Sequence, residues 1–128
     1  MVTSVLDASA LIALIRNEPG FSLVAGAVRA GAAVSTVNLC EVLTKSSDHG
    51  ADVALLDAQL ASYRLSIEPF EPADAREAAR MRAGTRHLGL SLGDRACLAL
   101  GRRLGVPILT ADRPWAKLDP SFRVTVIR

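Results

Sequence analysis

The chain has 128 residues, the size of one ordinary domain, and half of them are hydrophobic, enough to build a full core. No apolar run approaches the ~20 residues needed to cross a bilayer, and the opening residues lack the pattern of a secretory signal. Cys40 and Cys97 suit neither a disulfide framework nor a zinc motif, so a cytoplasmic protein with no membrane association is expected; its net charge is only +2, although thirteen of its fifteen basic residues are arginine.

Val5 and Leu6 form a short β-prone run that arrives at Asp7, and the pattern then changes to a helix with Leu11, Ile12, Leu14 and Ile15 as its apolar stripe. Asn17-Glu18-Pro19-Gly20 breaks that helix. A second helix runs from Phe21 to Ala30, with Leu23, Val24, Ala27 and Val28 on one side, and stops at Gly31. Ala32 to Thr36 reads as the second strand. A helix from Val37 to about His49 follows, with Leu39, Val42 and Leu43 as its apolar positions. Ala51 to Arg64 is another, with Leu55, Leu56 and Leu60 facing inward, and the two make an αα-hairpin between strands.

Leu65 to Phe70 is a brief third strand limited by Pro69. Pro72 opens a helix to about Arg86 that sets Arg76, Arg80, Arg82 and Arg86 along one flank. Leu88 to Gly93 is a loop, and Asp94 to Leu104 a helix that buries Ala96, Leu98, Ala99 and Leu100. Gly105 to Thr110 brings the fourth strand, then Asp112 and a short helix through Leu118, and Phe122 to Ile127 closes as a last strand. Strands alternate with helices throughout, so the expectation is an α/β fold in three layers: a central, mainly parallel sheet of four to five strands flanked by helices, in one domain over residues 1–128.

Four acids occupy matching places in this layout. Asp7 ends the first strand, Glu41 lies early in the helix after the second, Asp94 starts a later helix, and Asp112 follows the fourth strand. In a parallel sheet the carboxyl ends of the strands share one edge and helices begin there, so carboxylates far apart in sequence can converge. For each acid alone, a helix cap or a solvated side chain is the commoner explanation. As a cluster they must protonate or bind a cation, because like charges at short range repel. Oxygen-only ligands select Mg²⁺ or Mn²⁺, ions that serve phosphodiester hydrolysis.

The segments Val5-Leu6-Asp7-Ala8-Ser9-Ala10, Val37-Asn38-Leu39-Cys40-Glu41-Val42, Leu90-Ser91-Leu92-Gly93-Asp94-Arg95-Ala96-Cys97-Leu98-Ala99-Leu100 and Ile108-Leu109-Thr110-Ala111-Asp112-Arg113-Pro114-Trp115 together resemble PIN-domain ribonucleases. Within that group the chain is similar to VapC-type toxins of type II toxin–antitoxin (VapBC) pairs. The resemblance implies Mg²⁺- or Mn²⁺-dependent endonucleolytic cleavage of RNA, a homodimer, and inhibition by a VapB-type antitoxin. It makes Asp7, Glu41, Asp94 and Asp112 both the metal site and the catalytic set, with Asp112 acting through water as an alternative. One of these carboxylates, or a metal-bound hydroxide, would activate the attacking water.

Around them, Ser9 and Thr110 are expected to hold carboxylates or waters, with helix capping an equal reading for Ser9. Asn38 would touch RNA or metal waters, or else start its helix. Arg95 and Arg113, each directly after an acid, are candidate phosphate contacts, the guanidinium fork being well shaped for phosphate. Trp115 would stack a base or, the better-supported role, cover an edge of the core. Cys40 and Cys97 are expected to pack as small hydrophobes, and His49 and His87 to be exposed. Two other functions compete. A haloacid dehalogenase-type phosphatase also opens with a strand ending in Asp, but it wants a second acid where Ser9 stands. A PIN fold that binds RNA or protein without cutting would have no need of four acids.

Overall fold

A computed structural model describes all of residues 1–128. Five strands form one sheet in the order β3-β2-β1-β4-β5, with every neighbouring pair parallel. They are β1 (Ser4–Leu6), β2 (Ala32–Ser35), β3 (Ser66–Glu68), β4 (Ile108–Thr110) and β5 (Val124–Val126). The helices are α1 (Ala8–Arg16), α2 (Phe21–Ala30), α3 (Thr36–Asp48), α4 (Val53–Ser62), α5 (Pro72–Arg80), the single turn α6 (Arg82–Thr85) and α7 (Leu92–Leu104). The strands are only three or four residues long, yet β1, β2 and β4 are wholly buried, as strands covered on both faces must be.

The period-two alternation of the strands sorts their side chains into two cores. Leu6, Ala32, Val34 and Leu109 point to the layer that holds Leu11, Ala13, Val24, Val42, Leu56 and Leu60. Val5, Ala33 and Ile108 point to the opposite layer, with Cys97, Leu98, Leu100, Trp115 and Phe122. The chain leaves β1 toward one side for β2 and β3, and β4 and β5 extend the sheet on the other side. A sheet edge opens a crevice where its strand order reverses in this way, at the carboxyl ends of the strands. Here that crevice lies between Asp7, which follows β1, and Thr110, which ends β4.

Several expectations are corrected. Leu55 does not face inward: it is 72% exposed, because α4 buries only the single stripe of Leu56 and Leu60, and a residue one position away is turned by 100°. Leu23 is likewise exposed, leaving Val24 as the fully buried residue of α2. The helix from Pro72 does not reach Arg86. It breaks at Met81, where the Thr85 hydroxyl donates to the Met81 carbonyl at 2.8 Å and competes with the helical ladder. The arginine row is broken with it: Arg80 pairs with Glu77 at 3.4 Å, and Arg82 donates to the Leu90 carbonyl. The last strand begins at Val124 rather than Phe122, since Asp119 caps a 3-10 turn over Pro120–Phe122 and Arg123 reverses the chain at φ 51°. Cys40 is exposed, whereas Cys97 is buried.

Trp115 is a core residue, 1% exposed, with its indole N–H unpaired. It supplies the largest side chain of a core layer built with it from Phe122, leucines, Ile108 and smaller aliphatics. Trp115→Ala should therefore cost roughly 3–5 kcal/mol in urea unfolding, while Trp115→Phe, which removes the unpaired donor, should cost much less. Equal losses for the two variants would contradict this packing role.

Candidate active site

Asp7 is the centre of the crevice. Only 3% of it is exposed, and three donors meet its carboxylate. Thr110 donates to Oδ2 at 2.6 Å, while the Ser9 hydroxyl and the Ala10 N–H donate to Oδ1 at 2.7 and 2.8 Å. The Ala10 bond makes Asp7 the N-cap of α1, so capping belongs to Asp7 and not to Ser9. Ser9 instead spans the crevice: its oxygen accepts from the Ala111 N–H at 2.9 Å and lies 3.3 Å from the Thr110 hydroxyl. Thr110 also accepts from the Asp112 N–H at 3.0 Å. One network thus ties the ends of β1 and β4 to the turn that carries Asp112.

Asp94 stands in the first turn of α7, which starts at Leu92, two residues earlier than expected, because Ser91 is its cap. The Asp94 N–H donates to the Ser91 hydroxyl at 3.1 Å and the Ser91 N–H donates to Asp94 Oδ2 at 2.9 Å, a reciprocal capping box. Glu41 lies in the second turn of α3. Asn38, three residues earlier, is buried at 1% exposure and donates from Nδ2 to Glu41 Oε1 at 2.9 Å and to the Gly93 carbonyl at 3.0 Å. Asn38 therefore neither starts α3, which Ser35 caps, nor faces outward to RNA.

Asp7, Glu41, Asp94 and Asp112 line one open cleft of about 480 Å³, with Ser9, Lys45, Ser91 and Arg128. The four acids do come to one place, but not as a closed cage: no three acidic, histidine or cysteine side chains are gathered tightly enough to enclose an ion alone. An open, all-oxygen donor set suits Mg²⁺, which takes one or two carboxylates directly and keeps several waters. Overlap of the negative fields is felt by the buried Cys97 thiol. Burial first, then Asp7, Asp94 and Glu41, push its pKa well above the usual thiol value.

Arg95 is turned away from the cleft and donates to the Ala78 carbonyl at 3.0 Å. Arg113 does not line the cleft either; its Nε donates to the carbonyl of Arg128. The cations that do line it, Lys45 and Arg128, were not singled out from the sequence. Lys45 had a usable signal, since it follows Glu41 by four residues on the same helix. Arg128 had none, as its place depends on contacts to Glu18 and the Pro19 carbonyl more than a hundred residues away.

A family model described as PIN domain matches residues 4–119. The chain belongs to the PIN domain family. Its fold is similar to that of a toxin–antitoxin complex from Klebsiella pneumoniae, with a TM-score of 0.75, 18% identity and 98% of each chain covered. It is also similar to VapBC2 from Rickettsia felis bound to a promoter DNA fragment, with a TM-score of 0.75, 14% identity, and 97% and 98% of the two chains covered. VapBC-5 from Mycobacterium tuberculosis matches at a TM-score of 0.60 and 24% identity, over 100% and 99% of the two chains. No curated protein sequence matches significantly.

The electrostatics of this PIN cleft carry a stability consequence. Burial pushes the Asp7 pKa from 3.8 up to about 6; the bonds from Thr110, Ala10 and Ser9 pull it down only in part, and the nearby Asp94 raises it further. A group held by the folded state at a raised pKa contributes stability that is complete below pH 3.8 and is lost as pH rises through about 6. The loss amounts to about 3 kcal/mol in the cation-free protein. Asp7→Asn should remove that dependence, so the difference in urea-unfolding free energy between variant and wild type should change by about 3 kcal/mol between acid and neutral pH, in the variant's favour. Parallel pH profiles for the two proteins would refute it.

Proposed function

We propose that the protein is a Mg²⁺- or Mn²⁺-dependent endoribonuclease, the VapC-type toxin of a type II toxin–antitoxin pair, held in check by a VapB-type antitoxin and working as a homodimer. The observation that carries the reading is the meeting of four carboxylates from four separate parts of the chain in one polar cleft. The toxin–antitoxin assignment is supported by the similarity of fold to VapBC structures.

When bound, a divalent cation supplies charge neutralisation at the scissile phosphodiester and makes a water acidic enough to attack it. The chain does the rest. Thr110, Ser9 and the Ala10 N–H fix both oxygens of Asp7, so that its carboxylate would hold a cation without having to rotate. The Ser91 capping box holds one oxygen of Asp94, Oδ2, and leaves Oδ1 free. Asp112, exposed at the cleft, would accept the proton of the attacking water. Lys45 sets a positive charge beside the four acids, while the Arg128 guanidinium is paired with Glu18 at 3.3 Å, so repulsion of a polyanionic strand by the cleft is only partly offset. Ser9 donates to Asp7 in the place where a dehalogenase-type phosphatase has its second acid, which disfavours that alternative.

The test is cleavage of end-labelled single-stranded RNA with Mg²⁺, Mn²⁺ or EDTA. Cleavage should need the cation, and Asp7→Asn and Asp94→Asn should each reduce it by at least ~100-fold with the fold intact. Growth arrest on expression should be relieved by the small protein encoded beside it. RNA cutting that survives EDTA would refute the cation's role. Tight RNA binding without cutting under all these conditions would favour the non-catalytic binding module.

A further inference from the structure

Glu41 differs from the other acids of the cleft in how it is held. Asp7 and Asp94 sit at helix starts, where free N–H groups fix them; Glu41 lies inside α3, where backbone donors are already used. Its partner is the buried Asn38 amide, which spends one N–H on Glu41 Oε1 and the other on the Gly93 carbonyl of α7. The amide oxygen Oδ1 is buried and has no partner. A side chain chosen only to fill the space between α3 and α7 would be apolar, since an orphaned buried carbonyl is unfavourable. The amide cannot be flipped to relieve it, because its oxygen would then face a carboxylate and a carbonyl.

Gly93 completes the arrangement. Its φ is ordinary, so its backbone does not require glycine, yet a Cβ there would fall 2.5 Å from Cδ and Oε2 of Glu41 and closer still to Oε1. The Glu41 carboxylate thus occupies the space where any other residue would carry its side chain. Gly93 immediately precedes Asp94, so the seat of one acid is the backbone of the next.

We propose that Asn38 and Gly93 are positioning residues that lock the Glu41 carboxylate against the first turn of α7 and so set its distance to Asp94. This rests on the reading of Glu41 and Asp94 as cation ligands. The two parts act differently: Asn38 ties the carboxylate by hydrogen bond, and Gly93 leaves the room it needs. Alanine is a better helix former than glycine, and the obstacle to it is the mobile end of a glutamate rather than backbone. Gly93→Ala should therefore keep the fold and displace Glu41.

The experiment is a double-mutant cycle on the full chain, with Gly93→Ala, Glu41→Ala and the double variant, read by Mn²⁺ titration calorimetry, thermal unfolding and the Asn38 side-chain NH₂ resonances without cation. Gly93→Ala should unfold at or above the wild-type temperature, weaken Mn²⁺ binding roughly 10–100-fold and shift the Asn38 resonances. In the Glu41→Ala background, the same change should alter Mn²⁺ affinity by less than about two-fold. Asn38→Asp, which sets a carboxylate against Glu41, should weaken Mn²⁺ at least as much as Gly93→Ala. Wild-type affinity and unmoved Asn38 resonances in Gly93→Ala would overturn the proposal, and so would an equal loss of affinity with and without Glu41. Should the wild type take up no Mn²⁺, the proposed function falls instead. The Asn38 resonances then still decide the lock: movement in Gly93→Ala supports it, and no movement overturns it.

Discussion

A carboxylate buried between two parallel strands is the constraint from which the rest of this molecule follows. Asp7 loses nearly all contact with water, and an unpaired charge there would be prohibitive. Thr110 and Ser9 reduce the penalty, and both also bond the turn after β4, so the group that is hardest to bury draws the two central strands together. Hydrogen bonds lower the penalty without removing it, which is why the pKa stays near 6. A native state that keeps this residue at neutral pH gives up stability to hold a carboxylate in the cleft.

Topology decides which residues can share that place. With β1 in the middle of the sheet, the chain runs from it to one side and later to the other, so Asp7 and Thr110, 103 positions apart, become neighbours. Helices α3 and α7 lie over opposite faces of the sheet, yet both begin at the edge where the strands end. Close approach at that edge needs small residues, and the chain supplies Ala8, Ala111 and Gly93 around the cleft. A core poor in aromatics is consistent with this short sheet, in which Ala32 and Ala33 fill positions that longer strands give to larger side chains.

Much of the fold was legible because its signals are local. A β-prone run that meets an acid and turns helical marks β1, Asp7 and α1 within a dozen residues, and the same logic located β2, β4 and the acids after them. What escaped depends on competition between near-equal local options. Nothing in Met81 to Leu88 forbids a helix; the break comes with one threonine hydroxyl that bonds the Met81 carbonyl. Leu55 and Leu56 are identical in kind, and only the facing partner chooses between them. Of the site, the acids could be named, and so could Ser9 and Thr110, which donate to Asp7, but the partners of Glu41 could not. Asn38 read as a helix start because Ser35, the residue that takes that role, stood inside the expected strand. Arg95 read as a phosphate contact because its pull toward the Ala78 carbonyl is a tertiary fact.

Capping and site chemistry first stood as rival explanations for the acids, and the structure joins them. An acid at a helix start is stabilised by free N–H groups and by the positive end of the helix dipole, and Asp7 on α1 and Asp94 on α7 both stand at such a start. The same caps that fold the helices fix these two carboxylates at the cleft. Glu41 has no such advantage, being a full turn inside α3, and it alone needs a buried amide and a missing side chain on the neighbouring helix.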